Sequence, residues 1–199
     1  MTLARHKAPI VKLEPNRIRA VQAICYLLTL SKERSVQMTQ YTIVKSLFLA
    51  DRMHLNRFGR PITFDNYVAM ENGPVPSFCY NLLKGEIDPK SIELSKLPWK
   101  REYAPSISKN AYLYTLSGNR HFDFDELSQS DLDALFEALT VVSSLSFQQL
   151  RKLTHDDPAY VNAWESDGGR KAYPMSYGLL FEAPDFERAE DLAFASKHC

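Results

Sequence analysis

The chain has 199 residues, 45% of them hydrophobic and 24% charged, which is the composition of a globular domain long enough to bury a sizeable core. Its 24 basic and 24 acidic residues cancel. That balance argues against a general nucleic-acid binder, which carries a basic excess.

Residues 1–15 read as an irregular basic arm holding Arg5, His6, Lys7 and Lys12 and ending at Pro15. The apolar run 20–30 behind it is too short to span a bilayer and has no small-residue cleavage site after it, so it reads as a core helix. Asn16 caps that helix over Arg17–Ser31, with Ile18, Val21, Ile24, Cys25 and Leu28 as the buried stripe. Thr39 caps a second helix whose apolar positions are Ile43, Val44, Leu47, Phe48, Leu55 and Phe58; Gly59 and Pro61 stop it. Ile62–Met70 follows as a strand, Asn72-Gly73 as a turn, and Pro76 as the opening of a third helix that buries Phe78, Leu82 and Leu83 and ends at Gly85. Tyr103–Ile107 and Tyr112–Leu116 alternate as two strands of a hairpin.

The second half is helical. Ser130 with Asp133 three residues on has capping-box spacing and opens a fourth helix, with Leu132, Leu135, Phe136, Leu139 and Val142 inward. Ser146 caps a short helix through Leu153. Asp157-Pro158 opens another through Trp164, closed near Gly168-Gly169. Pro184-Asp185 introduces a last one with Phe186, Leu192 and Phe194. The expected fold class is mainly α with α+β character: a compact helical domain with a small antiparallel β element. Three parts are expected: the arm 1–15, a domain over 16–169, and a C-terminal extension over 170–199 with one helix.

Chemistry-bearing residues are few. Asp51 falls on the apolar face of the second helix, where a carboxylate must be paired or hydrogen-bonded; the expected role is a buried strut. His54 lies one turn on. Asp51, His54 and His155 could share a metal only by converging, so no metal and no cofactor is expected. Seven glycines without a cluster leave no phosphate cradle, and nucleophile motifs are absent. Cys25, Cys79 and Cys199 lack metal or redox spacing, which fits reduced thiols in the cytoplasm. Gly73-Pro74-Val75-Pro76 fixes the backbone at one turn. A rigid turn there would present Tyr67, Met70, Val75 and Tyr80 to a protein partner, with Asp51, Arg52, His54 and His155 supporting or flanking it.

These residues resemble the Panacea domain, the SocA-like antitoxin domain. The resemblance rests on Lys45, Leu47, Ala50, Asp51 and Leu55; on Gly59, Pro61 and Ile62; on Tyr67, Ala69 and Met70; and on Gly73, Pro74, Val75 and Tyr80. It continues through Leu153, Thr154 and His155 to Trp164, and is densest over 40–84. Phe48 departs from it, standing where many members have tyrosine. The resemblance implies a mainly helical, non-enzymatic antitoxin, often phage-associated, that neutralises a toxin encoded by a neighbouring gene through direct protein contact; a protease is a further partner in one studied type. A homo-oligomer is compatible with this, and neither a membrane nor a nucleic acid is expected as a partner. The alternatives are a phage-encoded adaptor or regulator that uses the basic arm on a host protein or nucleic acid, and a metal-dependent hydrolase built on Asp51, His54 and His155.

Overall fold

The computed structural model describes residues 7–118, 122–165 and 169–198; the arm residues 1–6, Gly168 and Cys199 lie outside them. The fold is mainly helical with a small antiparallel β element. Helix α1 spans Arg17–Arg34 and α2 spans Gln40–Phe58. The Asn16 side chain accepts from the Arg19 amide and that of Thr39 from the Thr42 amide, and Gly59 ends α2 with φ 81°. Helix α3 (Ser77–Lys84) ends on Gly85, also left-handed. Helices α4 (Gln129–Ser144), α5 (Phe147–His155), α6 (Pro158–Ala163) and α7 (Phe186–Ala195) follow.

Strands β1 (Tyr67–Met70) and β2 (Gly73–Pro76) form a hairpin, and β5 (Tyr173–Pro174) pairs on the other side of β1. Strands β3 (Trp99–Tyr103) and β4 (Tyr112–Leu116) form a second hairpin. Helix α2 is the central element. It packs on α1, α3 and α4 and against β2 and β4. Ile43, Leu47, Phe48 and Leu55 from α2 meet Ile24 and Leu27 of α1 and Leu135 and Leu139 of α4 in the core. Cys25 and Cys79 are buried free thiols within it.

Several elements differ from expectation, each for a visible reason. Residues 62–66 are not strand. Asp51 accepts from the amides of Ile62 and Thr63, and Phe64 sits at φ 54°, which breaks an extended run. The Gly73–Pro76 stretch is strand rather than turn; the turn is Glu71-Asn72, between the paired Met70 and Gly73. Two prolines are tolerated because β2 is an edge strand and Pro74 and Pro76 alternate along it, so both missing N–H groups can face away from β1. The second hairpin begins at Trp99 rather than Tyr103, since residues 104–111 form its loop around Pro105.

Helix α4 is capped by Ser128 with Asp131, not by Ser130 with Asp133. Ile18, Phe58, Phe136 and Phe194 are exposed rather than buried. The Phe136 ring is covered by the Arg34 guanidinium at 4.6 Å, and Phe58 lies against His54 with ring centroids 4.6 Å apart. The described part of the arm, 7–15, is irregular but docked. Leu13 is buried, and Lys7 Nζ donates to the carbonyls of Asn162 and Ala163. The extension beyond 170 supplies β5 to the sheet and Tyr177 to the core.

Candidate functional site

The hairpin β1–β2 is held from beneath by two buried carboxylates. Asp51 Oδ1 accepts from the Ile62 and Thr63 amides at 2.8 and 3.1 Å, and Oδ2 from Thr63 Oγ1 at 2.5 Å and Tyr67 Oη at 2.7 Å. Burial raises its pKa, opposed by these four hydrogen bonds. Asp51 is therefore a strut tying α2 to the segment that leads into β1. Asp65 does the same for α3, whose N-cap Pro76 offers no side-chain acceptor. Its two oxygens take the amides of Phe78 and Cys79 at 2.9 and 2.8 Å. Burial pushes Asp65 up to about 6 against those bonds.

The tip is held from above by three side chains. Tyr160 Oη donates to the Met70 carbonyl at 2.9 Å, Arg151 Nη2 to the Glu71 carbonyl at 3.3 Å, and Lys45 Nζ to the Pro74 carbonyl at 2.9 Å. Gly73, at φ 102°, lets these groups close in. A Cβ there would lie 2.6 Å from Lys45 Nζ and 2.8 Å from Thr154 Oγ1.

The electrostatics around these tethers are unusual. Lys45 is buried, and that burial lowers its pKa to about 7. Burial, Arg151 and Lys45 lower His155 to about 4, against the charge of Asp156. His155 Nε2 and Tyr41 Oη are buried with no hydrogen-bond partner among the described residues.

What reaches solvent is different. The Glu71 and Asn72 side chains are exposed, as are Phe147, Arg151, Lys152 and Leu153 of α5. Tip and α5 together flank a groove of about 550 Å³, while a second cavity of about 640 Å³ opens on the other side of the tip.

The structure gathers Tyr67, Met70, Gly73, Pro74, Val75, Pro76, Tyr80 and His155 around this hairpin, but burial takes several of them out of reach of a partner. Asp51, Tyr67 and Gly73–Pro76 are buried; Met70, Tyr80 and His155 are half-buried. Arg52 and His54 point elsewhere. Arg52 Nε pairs with Asp157 Oδ2 at 2.7 Å, beside the start of α6. His54 is buried, with Nδ1 2.8 Å from the Arg60 carbonyl and Nε2 3.0 Å from Ser130 Oγ and 3.1 Å from Asp131 Oδ1. Burial would raise Asp131, but hydrogen bonds from Arg60 and Ser128 and the charge of Arg19 hold it at about 2. Burial keeps His54 low despite the Arg60 carbonyl and Asp131.

Asp51, His54 and His155 thus face three different sets of partners, and the hydrolase alternative loses the convergence it required. Among the described residues no group of three His, Cys, Asp or Glu could hold a metal. Lys45, Asp65, Arg151 and Tyr160 were not singled out as site residues from sequence. Lys45 alone carried a signal, a charge set in the apolar run 43–50.

A family model described as antitoxin SocA-like, Panacea domain, matches residues 43–160, more than half of the chain. The chain belongs to the Panacea-domain family of SocA-like antitoxins. The match begins in the first turns of α2, takes in Lys45, both carboxylate struts and the hairpin, and ends on Tyr160, the tether of Met70. An antitoxin-like role and a protein partner are what Panacea membership supports in general. No curated protein and no solved structure matches the chain. Among the described residues of this Panacea protein no helix is long and apolar enough to cross a membrane.

Proposed function

We propose that this Panacea-domain protein neutralises a toxin encoded by a neighbouring gene through direct contact, without enzymatic chemistry, in the cytoplasm. The docking surface is the Glu71-Asn72 tip together with the outer face of α5. One observation carries this reading: the tip backbone is tethered at Met70, Glu71 and Pro74 by side chains from α2, α5 and α6. A loop held in one conformation loses little entropy when a partner binds, so its contacts translate into affinity. The buried residues of the hairpin act as its frame, and Glu71, Asn72, Phe147, Arg151 and Lys152 meet the toxin.

The test is co-expression with the product of the adjacent gene. That product should arrest growth alone and be harmless beside this chain. Asn72→Arg, at an exposed turn position, should restore toxicity while leaving the thermal unfolding of the chain within about 0.5 kcal/mol of the parent, as surface substitutions do. A neighbour that is harmless alone, or toxic in the presence of the unaltered chain, defeats the proposal. A folded Asn72→Arg, Arg151→Glu double variant that still protects would move the docking surface elsewhere.

A further inference from the structure

The cavity of about 640 Å³ beside the tip lies within the size range of small-molecule sites. Its walls are apolar and aromatic: Val44, Met70, Val75, Tyr80 and Trp164. Three cations, Lys45, Arg170 and Lys171, line it against two carboxylates, Glu71 and Glu165. Lys45 Nζ has the Pro74 carbonyl as its one hydrogen-bond acceptor and no carboxylate paired with it among the described residues. Gln40 and Tyr41, from the same turn of α2, also line the cavity, and Gln40 Nε2 and Tyr41 Oη are buried without a partner among the described residues. Arg170 and Lys171 stand at the mouth, with Glu71 and Glu165. Glu165 is already paired with Lys7 at 2.8 Å.

Buried donors without acceptors cost free energy that an acceptor-rich ligand recovers. A flat ring suits walls built from tyrosine, tryptophan and methionine side chains, which favour stacked and edge contacts. We infer that this cavity is a binding site for a small organic anion, a carboxylate or phosphate monoester carried on a flat ring, with the anionic group toward Lys45 and the mouth cations and the ring against Met70, Tyr80 and Trp164. The site is separate from the toxin surface, though the two share the hairpin tip as a wall.

The experiment uses the full chain with no toxin present, so its outcome is independent of the neutralisation reading. The probes are phenyl phosphate, benzoate and neutral benzamide, followed by saturation-transfer NMR of the probe and by thermal unfolding of the protein. At least one anion should bind and raise the midpoint, with benzamide weaker by about tenfold or more, the equivalent of one lost charged contact. Preference for phenyl phosphate assigns a phosphate monoester, and preference for benzoate a carboxylate.

Lys45→Met should weaken the favoured anion about tenfold or more and benzamide little. Because Lys45 also tethers the hairpin, Lys171→Ala at the exposed mouth provides a second variant that leaves the fold intact; it should weaken the anion by about threefold or more, a loss of roughly 0.7 kcal/mol. Equal binding of benzamide and the anions overturns the inference, as does anion binding that survives both substitutions or the failure of every probe to bind.

Discussion

Gly73→Ala probes the point where α2, the hairpin and α5 meet. Two costs are expected. Forcing a side chain to keep φ near 102° costs about 1–2 kcal/mol. The new Cβ would also stand 2.6 Å from Lys45 Nζ, so the ammonium must withdraw. Lysine ends usually move cheaply, but this one is buried and bound to the Pro74 carbonyl. Its withdrawal forfeits a charged hydrogen bond of about 1.5–3 kcal/mol. Together the loss is about 3–5 kcal/mol, which for a chain of this length lowers the unfolding midpoint by roughly 6–20 °C. Gly85→Ala is the matched control. That glycine is also left-handed, at φ 76°, but a Cβ there meets nothing within 4 Å, so only the strain of about 1–2 kcal/mol applies. Chemical denaturation of both glycine variants, of Lys45→Ala and of the Lys45→Ala, Gly73→Ala double variant completes a cycle in which Lys45 and Gly73 should couple by about 1 kcal/mol or more. Equal losses for the two glycine variants, or strict additivity in the cycle, would refute the claim that Lys45 helps to keep a side chain off residue 73.

Asp51→Ala should destabilise the fold by about 3–5 kcal/mol, because it strands two buried amides and two hydroxyls; a protein of parental stability that has lost only toxin binding would contradict the strut assignment. Lys45 has a folded pKa of about 7, below its ordinary 10.5. The unfolded chain therefore holds the extra proton across that window, and stability should rise with pH from 7 toward 10. In Lys45→Met the rise should be smaller, as read from urea midpoints at pH 7, 8 and 9. Asp65 shifts the opposite way for a carboxylate, up to about 6 from 3.8. Its ionised form is the costly one, so this group favours folding more as pH falls from 6 toward 4. Removing that contribution by Asp65→Asn should make the acid limb of the stability profile fall sooner relative to its own pH 7 value. Arg151→Ala should leave stability within about 0.5 kcal/mol yet speed amide exchange at Asn72 and Gly73, since it frees the Glu71 carbonyl.

Most helix starts were legible in the sequence because capping is local chemistry. Asn16, Thr39, Ser146, Asp157 and Asp185 all cap as the spacing implied. Helix α4 shows where locality stops. Ser128–Asp131 and Ser130–Asp133 are both spaced as capping boxes, and nothing within ten residues chooses between them. The choice is tertiary. Asp131 is buried against Arg19 and Arg60 and faces His54, from α1, the loop after α2 and α2 itself, and only the frame capped at Ser128 brings its carboxylate there. Residues 62–66 make the same point. Their apolar pattern reads as strand, but Asp51, eleven residues upstream of Ile62, takes the amides a ladder would need.

The site divides along the same line. Asn72-Gly73 announces a hairpin turn by itself, and Asp51 announces a strut because a charge on an apolar face demands partners. The tethers are silent, since Tyr160 and Arg151 reach back 90 and 80 residues to Met70 and Glu71, and no spacing rule covers such distances. Lys45 falls between the two cases. It sits on the apolar face of α2 as Asp51 does, and the same rule that flagged the carboxylate flags the amine. The partners differ: Asp51 is met by four donors, Lys45 by one carbonyl. A strut with all its hydrogen bonds made has finished its work in the folded chain. A buried amine with one acceptor, beside a cavity and under the loop proposed to face the toxin, has capacity left over, and that surplus is what the anion-binding experiment measures.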